Sequence, residues 1–471
     1  MSFVLYDVET TGLRTRFDQI LQFAAVRTDA DLAVTDRLDI RIRLMPHVVP
    51  SPTALHVNGA DIADLVNANL PSHYEAVCEV AAKLRSWSPT VFLGYNSIRF
   101  DEEFLRQALY VCLHPPFLTN TNGNARADIL NLVRAVAVLE PDALRIPDEE
   151  GRSCFRLEAL VRANGYTGGA AHDAANDVEA ALHLCRLVSN RAPDVWSRFL
   201  RFAQRRVASE FVADEEAFVY FDQVGSFHSN HIVTNLGVSP SRPALHFCLD
   251  LKTDIDALVA MDAAALAEAI AAQPRPIRRL RVNAAPLLIP LYEASSELLE
   301  GRSEEDYLAR ARLLRQDEAF VGRLMEAALA GERTYADSRH VEEQIYSGSF
   351  PSGEEAALMQ EFHALEWPFR RDVAAQFSDA RHRSLAMRIF YLERPDLLPV
   401  EQRMRISRAI EQRCRGEAKA QPACLTLREA MAELEGLLAS EESEQGRLRL
   451  RNLETYFRSL LLADGPRDSD P

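Results

Sequence analysis

The chain has 471 residues, 47% of them hydrophobic, and a formal net charge of −16. That length gives full cores to two to four domains, and the apolar share excludes wholesale disorder. No apolar run approaches the roughly 20 residues that span a bilayer, and the acidic balance confines any nucleic-acid contact to a local channel. Seven scattered cysteines without a Cys-x-x-Cys pair fit free thiols in a reducing compartment, not a disulfide frame or a zinc site. The chain enters its first strand with no basic region or apolar signal segment ahead of it, so the expectation is a cytoplasmic protein without membrane contact.

Residues 3–8, about 19–27 and about 37–44 read as three successive strands. Helical patterns follow at 53–66 and 73–87, then the apolar strand "TVFLGYN" at 90–96 and a helix at 101–113. A Pro-, Thr-, Asn- and Gly-rich loop runs over 114–124, and helices resume at 127–139, 155–164 and 174–189. This order predicts a mixed sheet flanked by helices. "SNRAPD", 189–194, is the first boundary. After a helix at 194–209, short strand-like pieces such as "AFVYFDQV", "ALHFCLDL" and "IRRLRVN", interrupted by an Ala-rich helix at 262–272, suggest a small β barrel with helical insertions. Beyond Tyr346 the pattern is helical, with a capping box expected at Ser352 and Glu355, and the tail "ADGPRDSDP" is expected to fray.

Four acids and one histidine break the apolar pattern. Alternation along the first strand puts Phe3, Leu5, Asp7 and Glu9 on one face, so two carboxylates extend an apolar row, where an unpaired charge is costly. Asp101 opens a helix just after a buried strand, a position that N-capping acids also occupy. In "AHDAANDVEAALHLCRLV", a helix starting near Asp173 puts Asp177 on the stripe continued by Ala180, Ala181, Leu184 and Val188. His172, five residues before Asp177, points away from it within one helix, and so belongs to the preceding loop. Two hard divalent cations would neutralise such acids, in the arrangement used for in-line phosphodiester displacement. A neutral histidine could take the proton of the attacking water.

The order Asp-x-Glu, Asp, His-x4-Asp resembles the DEDDh 3′→5′ exonucleases. "DVETTGL", "GYNSIRFDEEF", "SCFRLEALVRANG" and "AHDAANDVEA" resemble the bacterial exonuclease I family within them. "RVNAAPLL" and "EEQIYSGSFPS" extend the likeness over essentially the whole chain. The resemblance implies an RNase H-like mixed α/β sheet domain at 1–192, an SH3-like β-rich domain at 193–345 and an all-α domain at 346–471. It implies Asp7, Glu9, Asp101 and Asp177 as ligands of two Mg²⁺ ions, with Mn²⁺ as a substitute, and His172 as general base. Glu9, Arg156, Arg106, Arg134 and Phe117 are the implied DNA contacts, although a helix-start Arg156 balancing Glu158 reads equally well. "RPIRRLRVN" either lines the channel or forms a solvated strand edge.

The activity so implied is processive 3′→5′ removal of mononucleotides from single-stranded DNA by a monomer working in DNA repair and recombination. A DEDDh exoribonuclease and a non-catalytic DNA-binding scaffold stay open as alternatives. The family also binds the acidic C-terminal tail of single-stranded DNA-binding protein. Near "LEPD", one place where a basic residue for that tail would be sought, the chain carries Glu140.

Overall fold

The computed structural model describes residues 2–169, 172–224, 227–332, 338, 340–418 and 423–462. The tail expected to fray, 463–471, lies outside them. The chain forms two compact units, each built from separated stretches. Met1–Asn124, Arg156–His183 and Asp337–Pro471 make the first, and Ala125–Phe155 and Leu184–Ala336 the second.

In the first unit, strands β1 (Phe3–Thr10), β2 (Ile20–Thr28), β3 (Val34–Arg41) and β4 (Val91–Gly94) lie in the order β3-β2-β1-β4. β1 runs antiparallel to β2 and parallel to β4, so the sheet is mixed, as expected. Helix α1 (His73–Trp87) begins on a complete capping box between Ser72 and Glu75. It packs with helix α2 (Asp101–Val111) on the face that carries Val4, Tyr6 and Val8. Helices α3 (Leu157–Ala163) and α4 (Ala174–Arg191) follow. On α4 the expected stripe is real, since Ala180, Ala181, Leu184 and Val188 are all buried.

The described helices after 346 share apolar clusters with the N-terminal stretch. Phe362, Phe377 and Phe390 join Tyr6, Phe92 and Phe104 in one apolar cluster. Leu434, Leu450 and Phe457 join Leu21, Leu44 and Leu55 in another. Each fully buried side chain of this size contributes about 1.5–3 kcal/mol, so the N-terminal sheet and the C-terminal helices stabilise each other.

The capping box expected at Ser352 and Glu355 is only half made. Ser352 accepts the Glu355 N–H at 3.1 Å, but the buried Glu355 carboxylate turns to Ser378, the Asp379 N–H and His382. Those donors satisfy a buried charge better than one backbone N–H would.

The second unit holds five antiparallel strands: β5 (Phe218–Val224), β6 (Phe227–Ser239), β7 (Arg242–Asp250), β8 (Ile277–Arg281) and β9 (Leu288–Pro290). Their order is β8-β7-β6-β5-β9. The helix expected at 194–209 is two, Pro193–Phe202 and Arg205–Asp214. The break brings Phe202 against Phe211, ring centroids 5.0 Å apart, in one core. In β8, Arg278 faces Asp222 and Asp250 at 3.8 and 3.7 Å, while Arg281 and, ahead of the strand, Arg275 are exposed. Cys78, Cys112, Cys154, Cys185 and Cys248 are free thiols. Among the described residues no helix is long and apolar enough to cross a membrane.

Candidate active site

The site grows from the C-terminal end of β1. Across the ladder Asp7 faces Ala24 and Glu9 faces Gln22, so small and polar neighbours leave room around the carboxylates. On the other side β4 pairs only with Phe3, Val4 and Leu5. Past that point a side chain replaces the missing strand: Asp101, the first residue of α2, accepts the Val8 N–H at 3.1 Å. The amide that it takes lies between the two β1 acids. Asp101 is 3% exposed, which ties the start of α2 to the strand.

Asp177 comes from the first turn of α4. His172 lies before the helix, as its spacing required, in a left-handed conformation with φ 61°. Its backbone N–H donates to the Asp177 carboxylate, and its ring is exposed. Ligand atoms of Glu9, His172 and Asp177 lie within 4.8 Å of one another. Asp173 is the acid that sequence reading passed over. It caps α4 through the N–H groups of Ala175 and Asn176 and pairs with Arg41 at 2.9 Å. Its charge acts on Asp7, Glu9 and Asp177 alike; the visible signal was an acid directly after the histidine.

These acids hold their protons far more tightly than free carboxylates. Burial pushes Asp7 well above its usual value, and the charges of Asp101, Asp177 and Glu9 add to it. Glu9 is pushed up to about 7, by burial first and then by Asp177 and Asp173. Asp177 is also raised by burial, against the opposing pull of His172 and Asn176. Converging oxygen donors that repel one another are the set that hard divalent cations complete. The residues present fit such ions.

A second group of donors does not. Cys78, His114 and His363 also approach within 4.8 Å, but the two imidazoles stack with centroids 3.9 Å apart and planes 13° apart. Lone pairs in near-parallel planes do not converge on one ion. Arg85 moreover donates to His114 Nδ1 at 3.0 Å, and Tyr74 meets His363 Nδ1 at 2.8 Å. This is a buried hydrogen-bond array.

The expected DNA contacts divide. Phe117 sits with Tyr346 and the 77%-exposed Phe350, centroids 6.1 and 5.4 Å away. Arg106 lies 5.0 Å over the Phe117 ring, but it is buried and committed to Glu102 at 2.9 Å and Glu103 at 3.3 Å. Arg156 is exposed at the start of α3, and Glu158 pairs with Arg162. Arg134 belongs to the second unit, 5.7 Å over the Phe155 ring.

The exonuclease family model matches residues 4–185. Exodeoxyribonuclease I of Haemophilus influenzae is 28% identical over 373 residues, covering 75% of this chain and 78% of that protein. Exonuclease I from Methylocaldum szegediense superposes with a TM-score of 0.84 at 27% identity, covering 98% of this chain and 99% of its own. The E. coli ExoI–ssDNA complex in its zinc-ion-bound form superposes with a TM-score of 0.84 at 23% identity and the same coverage. With the ordered acids and the histidine gathered at the end of β1, the chain is similar to bacterial exonuclease I over most of its length.

Proposed function

We propose that this enzyme is a processive 3′→5′ exonuclease that hydrolyses single-stranded DNA to mononucleotides, in DNA repair and recombination. The observation that carries this reading is the convergence of Asp7, Glu9, Asp101 and Asp177 with His172. The four carboxylates would hold two divalent cations, Mg²⁺ in the cell with Mn²⁺ able to substitute. Bound there, such ions neutralise the carboxylates and the charge that builds on the phosphate in the displacement. The His172 ring, exposed on its left-handed turn, accepts the proton of the attacking water.

Glu9, with a carboxylate oxygen within 4.8 Å of a His172 ring nitrogen, orients the terminal nucleotide. Arg156 and Arg134 contact backbone phosphates, and Phe117 stacks on a base, an interaction worth about 1–3 kcal/mol without sequence preference. Arg106 serves DNA by holding the Phe117 ring. The stretches 1–192, 193–345 and 346–471 act as nuclease, β-rich and helical modules of one cytoplasmic monomer. A partner is the acidic C-terminal tail of single-stranded DNA-binding protein.

The deciding experiment incubates full-length protein and Mg²⁺ with single-stranded DNA, duplex DNA and RNA, each labelled at its 5′ end. The expected result is stepwise shortening of single-stranded DNA from the 3′ end, with a stall near a duplex junction. Preferential cleavage of RNA, or binding without cleavage, would overturn the reading.

A further inference from the structure

Glu102 is the most enclosed acid near the site. It is 0% exposed, and it follows Asp101 in the first turn of α2. That helix starts without a side-chain cap, since Phe100 at the cap position offers none. Tyr6, Thr119 and Arg106 are among the groups that meet the Glu102 carboxylate. Tyr6 Oη donates to Oε2 at 2.8 Å, Thr119 Oγ1 donates to Oε1 at 2.5 Å, and Arg106 Nη2 lies 2.9 Å from Oε1.

The positions of these partners matter. Tyr6 immediately precedes Asp7 in β1, and Glu102 immediately follows Asp101 in α2. The Tyr6–Glu102 bond therefore joins the neighbours of two active-site acids through the core face of the sheet. The Val8 N–H to Asp101 bond, 3.1 Å, joins them again on the far side of Asp7. The two bonds straddle Asp7 and leave α2 little freedom to slide along β1. The Tyr6 ring is itself held by Phe23, stacked at 6.1 Å, and by Phe92, edge-on at 6.3 Å.

Stability alone does not call for this arrangement. A wholly buried ion pair seldom exceeds a well-packed apolar pair in net stability. What it adds is direction, because charge-assisted hydrogen bonds fix geometry. Arg106 carries the connection outward, since the same guanidinium meets Tyr346 Oη at 3.3 Å and lies over Phe117.

We propose that Glu102 is a positioning residue: through Tyr6, Thr119 and Arg106 it holds the first turn of α2 so that Asp101 stays in register with Asp7 and Glu9. This rests on the two-cation nuclease reading. The test uses full-length Tyr6→Phe and Glu102→Gln, with Asp7→Ala as control. Mn²⁺ affinity is measured without DNA by the electron paramagnetic resonance signal of the free ion, and kcat and KM are measured on an oligothymidylate across Mn²⁺ concentrations. Glu102→Gln is expected to weaken Mn²⁺ binding by about 10–100-fold, the usual effect of losing a group that orients a ligand, with excess Mn²⁺ recovering most of kcat. Tyr6→Phe removes one hydroxyl and keeps the packed ring; it is expected to weaken Mn²⁺ by at least about threefold with KM for DNA unchanged. A purely structural carboxylate would lower the melting temperature and leave Mn²⁺ affinity within about twofold of wild type in both variants, and that result overturns the proposal. If Glu102→Gln does not fold, Tyr6→Phe decides alone. Unchanged Mn²⁺ binding in Asp7→Ala would instead refute the cation cage itself.

Discussion

The acid cluster makes the cation-free protein pay for its own active site as pH rises, and Glu9 sets the scale. Its carboxyl sits at about 7 in the folded protein, against 4.5 when free. Between those values the folded protein keeps a proton that the unfolded chain has released, so stability falls as pH rises through the window and levels off above it. Each pH unit of difference is worth about 1.4 kcal/mol, giving about 3 kcal/mol for Glu9. Glu9 is partly open to solvent, which screens the charge and brings the expectation to about 2–3 kcal/mol. Glu9→Gln removes the titration. In EDTA the variant and wild type should unfold alike near pH 4.5, and the variant should be more stable by about 2–3 kcal/mol at pH 8. Saturating Mg²⁺ should reverse the order, because wild type has the fuller set of oxygen ligands. Urea unfolding followed by circular dichroism from pH 4.5 to 8.5, with and without Mg²⁺, reads the effect. Parallel metal-free curves for the two proteins across that range would refute the electrostatic account.

Asp7→Ala and Asp177→Ala should each abolish cleavage while binding of a labelled oligothymidylate, read by fluorescence anisotropy, is largely retained; turnover above a few per cent of wild type in either would count against the cage. His172→Ala should lose about 10²–10⁴-fold in single-turnover rate with Mn²⁺ binding kept, and a loss under about threefold would remove His172 as the base. Phe390→Ala, deep in the cluster that holds Tyr6 and Phe104, should cost about 3–5 kcal/mol in urea unfolding. Because that cluster joins residues 4–118 to 341–398, a fragment ending at 192 should express as insoluble or molten protein; a soluble, cooperatively melting fragment would show that the nuclease sheet stands without its helices.

Much of the site was legible because chemistry had broken a pattern. Asp7 and Glu9 interrupt an alternating apolar row, Asp177 interrupts a helical stripe, and His172 falls at a spacing that no single helix can use. Each violation is local and can be read within a few residues. The shared core was not legible, because Phe362 and Phe390 read equally well as the core of a separate helical domain. The cluster they share with residues of β1 spans more than the periodicity of any element. The short strand Ala125–Asp128 was missed for another reason. Its buried residues include Arg126 and Asp128, so it lacks the apolar signature of a strand. The partners of Arg106 were not legible, because sequence shows a charge without what it meets. In the structure it is spent on Glu102 and Glu103.

Glu102 shows where this kind of reading ends. It too is an acid on an inward face, and by the rule that found Asp177 it should have been conspicuous. Yet "DEEF" at the start of a helix is what the macrodipole favours: three acids in a first turn, each with an ordinary reason to be there. Such a run hides the one member that turns inward. Only the meeting of Tyr6, Thr119 and Arg106 on that carboxylate separates it from its neighbours. An acid that breaks a pattern can be found from sequence; an acid that satisfies one pattern while serving another needs the coordinates of its partners.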